Sequence, residues 1–256
     1  MPRDRRDYFY KKAKDEGYRS RAAFKLKQIN EKFKIITKGD AVVDLGAAPG
    51  GWLQVAKELS GGKVVGVDIL PIEKMEGAET IKGDIRLDKT VEKIRDKINK
   101  GGADAVICDA APNLTGNWSY DHARSIDLAT SALECARKIL KPGGKFAVKV
   151  FQGDLFPDFL DKVRQSFVKV KAFSPEASRA QSAEIYIIGR ELLSGAVKMG
   201  EEYTVTIEDI GANGDGIAKI NDFVVFVNNA KKGEKLKIRI RFIKPNFAYG
   251  ERIEQN

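Results

Sequence analysis

A lysine stands inside the apolar stretch KFAVKVFQG, residues 145–153, whose alternation predicts a strand. A charge in such a strand is costly unless it is paired or used. This residue, Lys149, falls near the strand's C-terminal end. Carboxylates end or follow other strand-like runs: Asp44 in AVVDL, Asp68 in KVVGVD, Asp84 in KGD and Asp109 in DAVICD. Taken singly, each reads as a helix cap, and Lys149 as a lysine snorkelling to solvent. Taken together, they end successive strands, beyond which open α/β sheets bind ligands. Glu184 begins EIYIIGR. If that strand runs antiparallel to the rest, an Asp, a Lys and a Glu converge at one rim. The loop DLGAAPGGW, residues 44–52, adds Gly46, Gly50 and Gly51 before a helix. Glycines permit close backbone approach, and a helix N-terminus offers free N–H groups. Their spacing is not G-x-G-x-x-G, so a smaller nucleoside ligand is expected rather than a dinucleotide. Asp68 is placed to accept from ribose hydroxyls, and Asp84 to face an adenine edge.

These residues need elements to hold them. Ala23, Leu26, Ile29 and Phe33 recur at helical spacing and predict a helix over 19–33. Strands are expected at 41–45, 63–68, 78–82, 104–109, 145–151, 168–173 and 184–190. Helices are expected at 51–59, 88–99, 122–140 and 155–166, with KPGG as a stop signal after the third. Such alternation makes a mainly parallel sheet covered by helices on both faces. Beyond Gly195–Gly200 the pattern becomes five short strand-like runs separated by turns such as Asn213-Gly214 and Lys232-Gly233. That predicts a small second domain, a β-barrel.

Composition narrows the function. With 256 residues, 43% hydrophobic and 32% charged, the chain has room for one large and one small core. No apolar run is long enough for a membrane span, and MPRDRRDYFYKK lacks the apolar core of a secretory signal, so a cytoplasmic protein is expected. One histidine and two cysteines are too few for an ordinary structural zinc site, and no metal is expected. The same scarcity argues against a Ser-His-Asp triad. Cys108 and Cys135 are expected as reduced core thiols. Residues 1–40 carry 13 Lys or Arg against 6 Asp or Glu, most of the net +9, interleaved with Tyr8, Phe9, Tyr10 and Tyr18. Cations neutralise phosphates and aromatic faces stack on bases, which points to a nucleic-acid partner.

The ordered motifs GYRSRAAFKL, VVDLGAAPGGW, GVDILP, GDIR, CDAAPN, PGGKFAVKVFQG and SRAQSAEIYIIG resemble the FtsJ/RrmJ family of S-adenosylmethionine-dependent RNA 2′-O-methyltransferases. The match runs from about Tyr8 to Arg190. The resemblance implies a Rossmann-like methyltransferase fold whose last strand is antiparallel. It implies a catalytic Lys-Asp-Lys-Glu set on Lys25, Asp109, Lys149 and Glu184. It implies S-adenosylmethionine contacts at Gly50, Trp52, Asp68, Asp84 and Asp109, with S-adenosylhomocysteine as product. In this reading Lys149 accepts the proton of a ribose 2′-hydroxyl or holds the incipient oxyanion. Asp109 orients it, Glu184 positions, and Lys25 supplies charge.

From about Met199 the chain resembles a TRAM domain, a small RNA-binding barrel found in archaeal members of this family. The expected organisation is a methyltransferase domain over 1–192 with its basic N-terminal segment, a linker over 193–198 and a TRAM domain over 199–256. The last holds 10 Lys or Arg against 9 Asp or Glu between 198 and 256. RNA contact is therefore expected from clustering of Lys231, Lys232, Lys235, Lys237, Arg239 and Arg241. The expected substrate is a uridine of large-subunit ribosomal RNA, in the A-loop, free or in the assembling subunit, with no obligate protein partner. Alternatives are the anticodon loop of tRNA and a non-catalytic ribosome-assembly role. A nicotinamide-dependent oxidoreductase is disfavoured by the missing glycine fingerprint.

Overall fold

The computed structural model describes residues 8–98, 101–179 and 181–253. Its elements run α1 (Tyr8–Asp15), α2 (Ala23–Phe33), β1 (Val42–Leu45), α3 (Gly51–Ser60), β2 (Val64–Asp68), β3 (Glu79–Lys82), α4 (Asp88–Lys97), β4 (Ala103–Cys108), α5 (Trp118–Ile139), β5 (Leu140–Phe151), α6 (Phe156–Ser166), β6 (Phe167–Phe173) and β7 (Glu184–Leu192). A second group follows: β8 (Glu202–Thr206), β9 (Asp209–Ile210), β10 (Gly216–Ile220), β11 (Phe223–Val227), β12 (Lys235–Ile243) and β13 (Phe247–Arg252).

The first seven strands form one sheet in the order β3-β2-β1-β4-β5-β7-β6. Pairs β1–β2, β2–β3, β1–β4 and β4–β5 are parallel, while β7 runs antiparallel to both β5 and β6. Strand order reverses between β1 and β4, the switch point where α/β sheets leave a crevice. Alternation sorts the strand residues onto two faces. Val43, Leu45, Val106, Cys108, Val148 and Val150 join the core beneath α4, α5 and α6. Val42, Ala105, Ile107, Ala147, Tyr186 and Ile188 join the core beneath α2 and α3. By the same period Lys149, two residues past Ala147, belongs to the α2 face, as does Glu184, two before Tyr186. The pleat therefore aims both at the helix that carries Lys25.

The structure shifts several expected boundaries. Helix α2 starts at Ala23 rather than at residue 19. Upstream, the Arg19 amide donates to Gln54 Oε1 and its guanidinium to three loop carbonyls, which draws the chain off the helix axis. Helix α5 starts at Trp118, four residues earlier than expected, because Asn117 Oδ1 caps it by accepting from Tyr120 N. It ends at Ile139, and KPGG belongs to an irregular start of β5, where the register with β4 shifts. Helix α1 was not foreseen. Residues 99 and 100, the expected end of α4, and residues 1–7 of the basic segment lie outside the described residues. Cys108 and Cys135 are free thiols in the core, and burial pushes their pKa values up to about 12 and about 11.

Six strands, not five, build the second sheet, in the order β8-β12-β13-β11-β10-β9, since EYTVTIEDI breaks into β8 and β9. Strand β10 also approaches β8 and curls the sheet around Val205, Ala218, Val225, Ile238 and Ala248. Val197 is buried in that core, and Leu193 and Ala196 pack against it. The segment expected as a linker is thus seated on the barrel. Leu193 N also donates to Ser166 O of the first domain at 2.9 Å.

Candidate active site

Lys149, whose side chain is 8% exposed, meets residues at the ends of two other strands. Its Nζ donates to the Asp109 backbone carbonyl at 2.7 Å. It lies 3.1 Å from Asp109 Oδ1 and 3.8 Å from Glu184 Oε1. The other Glu184 oxygen accepts from Lys25 Nζ at 2.7 Å. Register explains the meeting. Glu184 pairs with Phe151, the last residue of β5, and Tyr186 pairs with Lys149. The antiparallel β7 therefore does bring its first residue to the rim, and all four expected catalytic residues come together. Two cations and two carboxylates alternate in a space shielded from water, so each charge has a partner.

Their charge states follow from these neighbours. Burial disfavours the charged form of Lys149, but the Asp109 and Glu184 carboxylates outweigh it and raise its pKa above the ordinary lysine value. For Glu184 burial acts upward, and the ammonium groups of Lys149 and Lys25 overcome it, so its pKa is lowered. Tyr186 completes the cluster by donating its hydroxyl to Asp109 Oδ1 at 2.5 Å. Burial, with Asp109 and Glu184 nearby, holds that phenol far above its ordinary pKa and keeps its proton in place. Tyr186 was missed in the sequence. The available signal was its place two residues beyond Glu184 on the same strand face.

A cavity of about 700 Å³ opens beyond the ends of β1, β2 and β4. Asp68, Asp84 and Asp109 line it together with Val67, Leu70 and Leu128. The Asp68 carboxylate accepts from Ala48 N at 2.9 Å and Leu70 N at 2.8 Å, one bond to each oxygen, which leaves further lone pairs. Asp84 is engaged by Arg86, whose Nε lies 2.9 Å from Oδ1, and that hydrogen bond lowers the Asp84 pKa. Gly46, at φ 73°, sits so close to Ala110 that a Cβ there would collide with it. Only glycine lets the β1 and β4 loops close in this way. Asp44 is fully buried at the end of β1, and neither carboxyl oxygen has a hydrogen-bond partner among the described residues. Burial, reinforced by Asp109 and Asp68, pushes its pKa well up.

Gly50 and Trp52 do not line this cavity. Gly50 caps α3 at φ 113°, against the Arg19 side chain. Trp52 is 3% exposed, donates Nε1–H to Ala22 O at 2.8 Å, and stacks on Tyr186 with ring centroids 5.7 Å apart. It backs the tyrosine that holds Asp109. On the second domain, four of the six clustered cations are ion-paired in place. Lys232 meets Asp209 at 3.0 Å, Lys237 and Arg239 share Glu202 at 2.6 and 2.5 Å, and Arg241 meets Glu251 at 2.5 Å.

A family model described as FtsJ-like methyltransferase matches residues 18–192, and one described as TRAM domain matches residues 196–253. A protein of Methanosarcina mazei named ribosomal RNA large subunit methyltransferase E is 64% identical over 259 residues, covering all of this chain and 97% of the relative. One of the same name from Halobacterium salinarum is 47% identical over 254 residues, covering 97% of this chain and 98% of the relative. Among solved structures, a ribosomal RNA methyltransferase of Plasmodium falciparum superposes with a TM-score of 0.63 at 26% identity, covering 68% of this chain and 98% of the other.

Proposed function

The chain belongs to the FtsJ-like methyltransferase family, and from that premise we propose that it moves a methyl group from S-adenosylmethionine to the ribose 2′-hydroxyl of a uridine in the A-loop of large-subunit ribosomal RNA. The observation that carries this reading is the largely buried Lys25–Glu184–Lys149–Asp109 cluster, whose Asp109 also lines a nucleoside-sized cavity. The names of the relatives support ribosomal RNA as the substrate class. A cytoplasmic setting suits such a substrate. Among the described residues, no helix is long and apolar enough to cross a membrane.

The cavity suits S-adenosylmethionine. Of the cavity-lining carboxylates, Asp68 would use its spare lone pairs on ribose hydroxyls, Asp84 would meet an adenine edge, and Asp109 would meet the cationic sulfur. At the same end of the sheet, Asp44 is a buried carboxyl with no hydrogen-bond partner among the described residues. S-adenosylmethionine supplies an electrophilic methyl group on a positively charged sulfur. This chain's residues must then orient the hydroxyl and take its proton. Lys149 does so from its neutral form, since an ammonium cannot accept a proton. Positive charge entering the cavity beside Asp109 opposes the two carboxylates and makes that form easier to reach. Lys25, fixed on Glu184, stabilises the oxyanion as it develops. Asp109, gripped by Tyr186, sets the direction of the Lys149 amine. Because the donor is already activated, positioning carries most of the remaining barrier.

The test offers unmodified large-subunit rRNA, large subunits and tRNA in parallel with methyl-labelled S-adenosylmethionine. Label in rRNA or subunits is the expected result. Label in tRNA alone would keep the chemistry and replace the substrate. Cofactor binding without label in any RNA would favour a non-catalytic assembly role.

A further inference from the structure

Helix α5 presents two functional faces. Arg124, Asp127, Leu128 and Ser131 line the cavity. Trp118 and His122 lie one turn apart on another face, and the Trp118 ring stacks on His122 and on Phe151 at the end of β5. Trp118 is 51% exposed, so about half of a large aromatic ring faces solvent. Its ring lies 5.9 Å from that of His122 at 14°, and 6.0 Å from that of Phe151 at 24°. Phe151 stands two residues past Lys149 and is the register partner of Glu184. The indole therefore borders the catalytic cluster without belonging to the cofactor cavity.

We propose that Trp118 is a stacking platform for an unpaired nucleobase of the RNA, beside the ribose that is methylated. The proposal rests on the RNA methyltransferase reading and deepens it by naming a positioning residue for the substrate.

The support beneath the indole is fixed. His122 is buried and accepts from Leu155 N at 3.1 Å. A Cβ at Gly153 would come within 2.7 Å of the His122 ring, so glycine admits this close approach. Phe151 N donates to Ser125 Oγ at 3.1 Å. The preceding loop is tied by Asp121, whose carboxylate accepts from Thr115 N and Oγ1 and from Gly116 N at 2.8 to 3.1 Å. A ring held this firmly loses little freedom when a base settles on it. Leu114 and Tyr120 are also exposed, at 52% and 54%, and the Arg124 guanidinium lies 5.6 Å from the Tyr120 ring on the cavity side of α5. An exposed aromatic face suits an unpaired base, because every base has a π-face to stack on it. Continuity with the lysine cluster selects the base nearest the reacting ribose.

Two readouts test this. In steady-state methylation of an unmodified large-subunit rRNA transcript, Trp118→Ala should raise KM for RNA by about tenfold or more, the loss expected for one stacked base. Its S-adenosylmethionine affinity should stay unchanged, and Trp118→Phe should recover most of the loss. Separately, the chain has 2 tryptophans, so the emission lost in Trp118→Phe belongs to the exposed one. The same transcript should quench that emission, and a transcript abasic beside the target should quench it less. An unchanged KM, or unquenched Trp118 emission while the wild type methylates the transcript, would overturn the proposal and leave the enzyme's function standing. No transfer by the wild type to any rRNA would overturn the underlying reading and the platform with it.

Discussion

Lys149 is charged at rest because Asp109 and Glu184 raise its pKa despite burial. Its charge therefore stabilises the fold at every pH below the unfolded lysine value, roughly 10.4, and that contribution is lost as pH rises through the higher native value. Catalysis needs the opposite form. The neutral amine is the minority species, so the single-turnover rate with saturating S-adenosylmethionine should climb about tenfold per pH unit until Lys149 titrates. A profile flat from neutral to alkaline pH would remove the proton-acceptor role and leave Lys149 as a fixed cation. This cluster was legible because a lysine among valines and carboxylates at strand ends stand out by type. Tyr186 was not, since a tyrosine in IYII is ordinary strand material. Only the β5–β7 register places it opposite Lys149. Asp44 was visible as an acid but not as an unpartnered one, because VVDL does not say what surrounds its carboxyl.

Strands and helices of the first domain were legible from their periods, while the direction of β7 came only with the family resemblance. Their ends were less so, because tertiary bonds set them. Arg19 shows this. The sequence RSRAAFKL continues a helical pattern, but the Arg19 guanidinium reaches Glu73 O at 2.9 Å and Lys74 O at 3.0 Å, across more than fifty residues. These bonds strap the loop after β2, whose Ile69 and Leu70 wall the cavity. Arg19→Ala should weaken S-adenosylmethionine binding about fivefold, the worth of roughly 1 kcal/mol of net hydrogen bonding. The turnover rate at saturating cofactor should hold. Equilibrium binding beside kcat distinguishes this from a loss of the catalytic cluster, which would lower kcat first. The early start of α5 has a similar cause. Asn117 caps it, and the Asp121 ties that fix the preceding loop depend on folded geometry.

The described residues pack into a core on each face of the seven-stranded sheet and a third in the barrel, and the change of pattern near Gly195–Gly200 announced the division between sheet and barrel. What the barrel's charge does was not legible. Alternating cations on β12 looked like an RNA-facing row, but cross-strand acids on β8 and β13 neutralise much of it. Excess positive charge instead sits in residues 1–40. Removing residues 199–256 should therefore weaken RNA binding while changing the slope of log affinity against log salt by less than about one unit. Neutralising Lys11, Lys12 and Lys14 should flatten that slope by about two to three units, because each released counterion counts. A large loss of slope on removing the barrel would show that its ion pairs open on RNA.

The most direct check is the position of the methyl group itself. Labelled rRNA from wild type and Lys149→Ala would be cut with alkali, which spares a phosphodiester next to a methylated 2′-oxygen. Protection at one uridine in the wild-type product is expected. In the variant it should fall by about 10²–10⁴-fold, the usual worth of a general base, with S-adenosylmethionine binding retained. Wild-type-like protection by Lys149→Ala, or a methyl group found on a base, would contradict the account.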